Sequence, residues 1–320
     1  DVLRAKYREE RDKRLRPEGL GQYVEMKGRF AEFKRDPWVK GETPREPLLD
    51  ESEVVIIGGG FSGLLAAARL RQKGVEDVRI VEKGGDFGGT WYWNRYPGLA
   101  CDVESYIYLP MLEEIGTKPS EKYSRGAEIF EHCRAIARKF DLYRNACFQT
   151  EVTEIRWDER SSLWTIKTNR GDRMHARFVC LANGFLQKPK LPGVPGLQSF
   201  EGHAFHTSRW DYAYTGGDEN GSLDQLGDKR VGIIGTGATA VQCVPYLARD
   251  AGELFVFQRT PSSIGVRANR PTDSEWWSNL EPGWQKKRIE NFQVLTAGGV
   301  AEEDLVDDGW TEVVRKILNL

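Results

Sequence analysis

The sequence is poor in the residues that build metal sites and disulfide frameworks. Its 320 residues hold four histidines and five cysteines, and Cys101, Cys133, Cys147, Cys180 and Cys243 are widely spaced. No CxxC pair occurs, which argues against a redox dithiol and a structural zinc site. We therefore expect no metal, and reduced thiols in a cytoplasmic protein. No apolar run approaches the roughly 18 residues of a membrane span, since VVIIGGG (54–60) breaks at its glycines. The first sixteen residues are densely charged and lack the apolar centre of a secretory leader. A net charge of −2 gives no single-sign field of the kind a nucleic-acid binder uses. The expectation is a monomer with neither membrane nor nucleic acid as partner.

What is present is organised by glycine. DVLRAKYREERDKRLR (1–16) reads as a charged helix stopped by Pro17. LGQYVEMKGRFAEFKR (20–35) spaces Leu20, Tyr23, Val24, Phe30 and Phe33 as one helical face, and the proline-rich 36–47 reads as a linker. From Val54, VVIIGGGFSG joins a buried strand to a helix ending at Gly74, and VRIVEK (78–83) follows as a second strand. Residues 151–184 alternate as antiparallel strands with NRGD as a turn. KRVGIIGTGATA (229–240) repeats strand, glycine turn and helix, ELFVFQRTP (253–261) gives another strand, and a Trp-rich helical region begins at Pro271. The expected fold class is α/β, with two Rossmann-type dinucleotide-binding domains and a helical insertion in the second. The expected boundaries are an arm at 1–50, a first domain at 51–195, a linker and second glycine-turn unit at 196–270, and the insertion from 271.

Each glycine turn has a strand before it and a helix after it. In the first, Gly58 permits the tight turn, Gly60 lets backbone approach a pyrophosphate, and Gly63 allows close helix–strand packing. Phe61 and Ser62 open the helix whose N-terminus faces the phosphates. Glu82, followed by Lys83, ends the second strand, where a carboxylate accepts both ribose hydroxyls of an adenosine; FAD and NAD both fit. In the second turn, Gly235, Thr236, Gly237, Thr239 and Ala240 form the cradle, with alanine at the third position. Gln258, Arg259 and Thr260 stand where an acid would be, and an arginine fork binds a 2′-phosphate, so this site should take NADPH.

Two longer patterns carry a family resemblance. FEGHAFHTSRWD (200–211) matches FxGxxxHxxxW[PD], and GGTWYWNRYPGLACD (88–102) matches [AG]GxWxxxx[FY]P[GM]xxxD. Together, between two glycine turns, they resemble the type I Baeyer–Villiger monooxygenases. The resemblance runs from about Val54 onward, and the charged arm looks like that of members acting on large or polycyclic ketones.

The resemblance implies a flavoprotein using FAD, NADPH and O₂ to convert a bulky cyclic ketone to an ester or lactone through a flavin C4a-peroxide. Asp102 matches the active-site aspartate that supports a catalytic arginine. Gly89, Thr90, Trp91, Tyr108 and Val152 fall where the family lines the flavin or the adenine. Thr236, Thr239, Arg259 and Thr260 carry over to NADP, and His206 to a conformational coupling role. Trp210 separates the chain from the sister monooxygenases that oxidise nitrogen and sulfur, which remain the alternative and usually place Tyr or Phe there. Family members are longer. The resemblance therefore puts the catalytic arginine and the rest of the flavin domain outside these residues, and neither Arg267 nor Arg270 is assigned that role.

Overall fold

Branched apolar residues set the strands, and glycines at positive φ set the turns between them. The computed structural model describes residues 1–186, 188–259 and 261–318. Among them are ten strands: β1 (Tyr23–Val24), β2 (Glu51–Ile57), β3 (Val78–Val81), β4 (Ala146–Cys147), β5 (Val152–Asp158), β6 (Leu163–Thr168), β7 (Arg173–Leu181), β8 (Leu191–Pro192), β9 (Arg230–Ile234) and β10 (Glu253–Phe257). The fold is α/β, and it divides into two units through which the chain passes repeatedly.

The larger unit comprises Thr43–Tyr92, Ala100–Gly184 and the chain from Gly265. Its six-stranded sheet runs β4-β3-β2-β7-β6-β5. β2 pairs parallel with β3 and β7, and β6 pairs antiparallel with β5 and β7. β2 reads as an almost continuous apolar run because it is covered on both faces. Val54 and Ile56 pack with Leu64, Ala67 and Ala68 of the helix Phe61–Gln72 and with Cys133, Ile136 and Ala137 of the helix Gly126–Lys139. Val55 faces the other way, into Val81, Ile166, Met174 and Ala176. Side chains of this size each contribute about 1.5–3 kcal/mol on full burial, enough to fix the register of the central strand.

The smaller unit comprises Asp1–Glu42, Trp93–Leu99 and Phe185–Ile264. β9 and β10 pair parallel in register from Arg230 with Glu253 to Ile234 with Phe257, and the helix Ala238–Asp250 connects them. β1 and β8 form a separate antiparallel pair, and Met26, Phe30 and Leu191 are buried beside it.

One expectation needs correction. Residues 20–35 are not one helix but two 3-10 turns, Gly19–Gln22 and Gly28–Lys34, with β1 between them. Glycine tolerates the positive φ of 51° at Gly19 and 57° at Gly28; Tyr23 and Val24 serve the β1–β8 pairing and Phe30 and Phe33 its cluster, while Leu20 is exposed. The larger unit takes in the chain from Thr43, where Arg45 and Leu48 are both hydrogen-bonded to Asp172. The chain from Gly265 lies in the larger unit. Gln285 donates to Tyr106 O and Leu109 O and accepts from Leu112 N, and Arg288 is bonded to the buried Glu104.

Candidate functional site

The first glycine turn is close-packed in a way that only glycine allows. Gly58 sits at φ 110°, and a Cβ there would stand 2.4 Å from Ala182 O. A Cβ on Gly63 would come within 1.9 Å of Gly58 O, so helix and strand meet with no side chain between them. Gly89, at φ 54°, would press a Cβ to 2.8 Å from the Cα of Gly60, while Gly88 N donates to Gly59 O at 2.8 Å. The loop 84–89 thus closes against the turn backbone to backbone. The helix Phe61–Gln72 starts at Gly60 with no side-chain cap, so its first N–H groups are offered to an anion.

Glu82 is 6% exposed, and its carboxylate is fixed by the turn itself. Gly59 N donates to Oε2 and Gly84 N to Oε1, both at 2.7 Å. A carboxylate offers about four lone-pair sites, and these two backbone donors orient it. Lys83 is half-buried, Ser62 and Thr90 are exposed, and Val152 opens β5, packed against the Val55 cluster. Sequence reasoning missed Gly59 and Gly84 as the groups holding Glu82; the GGG and EKGG runs were the available signal.

Aromatic side chains stand beside the turn. Trp91 Nε1 donates to the Tyr108 hydroxyl at 3.1 Å, with the rings edge to face at 5.6 Å, and Phe61 lies 5.5 Å from Tyr108. Burial pushes the Tyr108 phenol well above its ordinary range, so it stays protonated. Asp102 follows the buried Cys101, whose thiol burial pushes up to about 12. The Asp102 side chain is 56% exposed, and Arg267 Nη2 donates to its Oδ2 at 3.3 Å. Trp310 Nε1 donates to Asp102 O at 3.1 Å. An arginine from outside these residues was expected against Asp102; among the described residues the guanidinium that reaches it is Arg267.

The second turn is more open. Gly235 sits at φ 109°, yet a Cβ on Gly235 or Gly237 would meet nothing within 4 Å. The space beside this backbone is clear, as a pyrophosphate requires. The helix Ala238–Asp250 starts at Gly237, again with no side-chain cap. Gln258 Nε2 donates to Thr236 Oγ1 at 3.2 Å, and Ser262 Oγ to Thr236 O at 2.6 Å. Thr239 is half-buried, and Ala240 is buried on the inner side of that helix. Arg259 is exposed beyond β10. Thr260 lies outside the described residues.

The fingerprint at 200–211 builds a small folded motif. His206 Nδ1 accepts from Ser208 N at 3.1 Å, capping the turn Thr207–Arg209. Burial, with the Arg209 charge, lowers His206 to about 4. Trp210 is 2% exposed, donates from Nε1 to Thr215 Oγ1 at 3.1 Å, and meets Phe205 edge to face. His203 stacks on Tyr214 at 3.9 Å and bonds Asp211 at 2.9 Å. These histidines order the segment. Among the described residues no group of three or more His, Cys, Asp or Glu side chains is placed to hold a metal. Nor is any helix long and apolar enough to cross a membrane.

Residues 55–263 match the family described as pyridine nucleotide-disulphide oxidoreductase. The neopentalenolactone D synthase of Streptomyces avermitilis is 59% identical over 318 residues, 99% of this chain and 53% of that protein. A Baeyer–Villiger monooxygenase of Stachybotrys chlorohalonatus is 55% identical over 98% of this chain and 51% of its own length. A solved polycyclic ketone monooxygenase from Thermothelomyces thermophila superposes with a TM-score of 0.91 at 44% identity, covering 97% of this chain and 53% of that one. The chain spans about half the length of the curated relatives it matches. The cysteines are free, so the disulphide in the family's description has no counterpart among the described residues. The chain belongs to the pyridine nucleotide-disulphide oxidoreductase family, on the branch whose curated relatives are named Baeyer–Villiger monooxygenases.

Proposed function

We propose that this chain is the cofactor-binding part of a monooxygenase that converts bulky cyclic or polycyclic ketones to esters or lactones. The observation that carries this reading is the opposite charge at two equivalent strand ends: a buried, backbone-held Glu82 and an exposed Arg259. Each glycine turn is read as one Rossmann-type domain, the first for FAD and the second for NADPH. Bound there, the cofactors supply hydride and oxygen activation, so that ketone, O₂, NADPH and a proton give ester, NADP⁺ and water.

The protein's own part is to bind, orient and exclude water. Gly58, Gly60, Phe61, Ser62, Gly63 and Gly89 pass backbone and N–H groups along the flavin pyrophosphate. Glu82 accepts the ribose hydroxyls, with Lys83, Thr90 and Val152 alongside, and Trp91 and Tyr108 wall the ring system with a neutral phenol. Gly235, Thr236, Gly237, Thr239, Ala240 and Arg259 hold the second dinucleotide, with Thr260 next to them in sequence. Asp102 would support an arginine from outside these residues, which would supply positive charge where an anion develops. His206, with Trp210 buried in the same 200–211 segment, is read as coupling cofactor binding to conformational change. We place the protein in the cytoplasm, as a monomer acting without nucleic acid. The names of the relatives favour ketones over nitrogen or sulfur substrates. Mass spectrometry of products from ketones of rising size, with intact protein, NADPH and O₂, tests the reading. An ester carrying one added oxygen atom is expected; NADPH oxidation stimulated by a thioether but by no ketone would overturn it.

A further inference from the structure

The arm places a side chain on the second cofactor site. Its turn Gly19–Gln22 runs into β1, which pairs with β8 through Tyr23 with Pro192 and Val24 with Leu191. Gly193 N donates to Gln22 O at 3.0 Å, and a Cβ on Gly193 would stand 2.6 Å from that oxygen. Met26, Phe30 and Leu191 are buried beside this pair. Pairing and packing therefore fix the Gln22 backbone, and its side chain is not needed for that.

The side chain bridges instead. Gln22 Nε2 donates to Gly19 O at 2.8 Å, and Arg259 Nη1 donates to Gln22 Oε1 at 3.1 Å. The bond to Gly19 leaves the amide's acceptor end toward the arginine. A guanidinium carries five N–H donors in a rigid fork, so one contact restrains it and leaves other donors for an anion. Gln22 is neutral, so it orients the cation without cancelling its charge.

We propose that Gln22 positions Arg259, making the arm part of the site that selects a 2′-phosphorylated dinucleotide. This rests on Arg259 being the 2′-phosphate ligand. An exposed arginine loses rotamer freedom when it grips a phosphate, and an arginine already held loses less. Gln22 is a positioning residue, and its effect must appear only when the 2′-phosphate is present.

The test is calorimetric titration of the flavin-loaded intact protein with adenosine 2′,5′-bisphosphate and with 5′-AMP, which lacks the 2′-phosphate. Gln22→Ala should weaken the bisphosphate by about three- to tenfold and leave 5′-AMP unchanged. Gln22→Glu, which pairs Arg259 with an anion and repels the phosphate, should weaken it further. Bisphosphate affinity unchanged in both variants, or equal losses for both ligands, overturns the proposal. Arg259→Ala isolates the underlying reading: it should abolish the preference for the bisphosphate. If it does so while the Gln22 variants keep that preference, the positioning role alone falls. If wild type and Arg259→Ala both lack the preference, the reading of Arg259 falls and the role of Gln22 with it.

Discussion

His206 shows at the residue scale how a motif histidine can matter without moving a proton. Its Nδ1 accepts from Ser208 N, so the neutral ring carries its hydrogen on Nε2. The unfolded chain protonates near the ordinary value of 6.5, whereas the folded chain refuses that proton until about pH 4. The unfolded state thus binds more protons in this window, and stability falls as the pH falls through it. The loss on going from pH 7 to pH 4 should be roughly 2–3 kcal/mol from this group. Urea unfolding across pH 4–7 checks it: His206→Gln should flatten the slope, and an unchanged slope would assign the pH dependence elsewhere. That Glu82 follows β3 and Arg259 follows β10 was legible in the sequence, because strand length and glycine spacing fix those positions. The capping by His206 was not, since nothing in FEGHAFHTSRWD says which ring nitrogen meets the backbone.

Elements were legible where their causes are local and hidden where they are not. The two strand–turn–helix units follow from glycine spacing and apolar runs a few residues long. Residues 20–35 misled because their spacing fits a helix, while β1 is stabilised by β8, more than 160 residues on. Ion pairs were equally silent: Arg45 lies 127 residues from Asp172, and Arg288 lies 184 from Glu104. The Asp172 side chain is fully buried. Burial raises its pKa, but Arg45, the Leu48 N–H and the Thr168 hydroxyl outweigh burial and hold it at about 2. Its contribution is therefore present above the ordinary 3.8 and lost as the pH falls toward 2. Asp172→Asn strands the Arg45 charge and should cost about 3 kcal/mol at neutral pH, measured by urea unfolding. A cost under about 0.5 kcal/mol would show the clasp to be incidental.

Over the whole molecule, sequence order and spatial unit part company. The signature 88–102 is divided, with 93–99 in the smaller unit and its flanks in the larger, and the arm joins residues after 185. A linear reading assigns contiguous domains and cannot foresee this, because the determining contacts (Gly98 against Tyr246, Gln285 against Leu109) bridge distant sequence. Each unit nevertheless keeps one glycine turn, and the charge after it differs in sign: Glu82 in one, Arg259 in the other. In the proposed reading that difference assigns two cofactors rather than two copies of one. A crystal structure of the intact protein with FAD and NADP⁺ measures it directly. The account predicts the Glu82 carboxylate within hydrogen-bond reach of the flavin adenosine's ribose hydroxyls, and the Arg259 guanidinium on the 2′-phosphate. A ribose bound away from Glu82, or a 2′-phosphate bound by other groups with Arg259 turned aside, would contradict it.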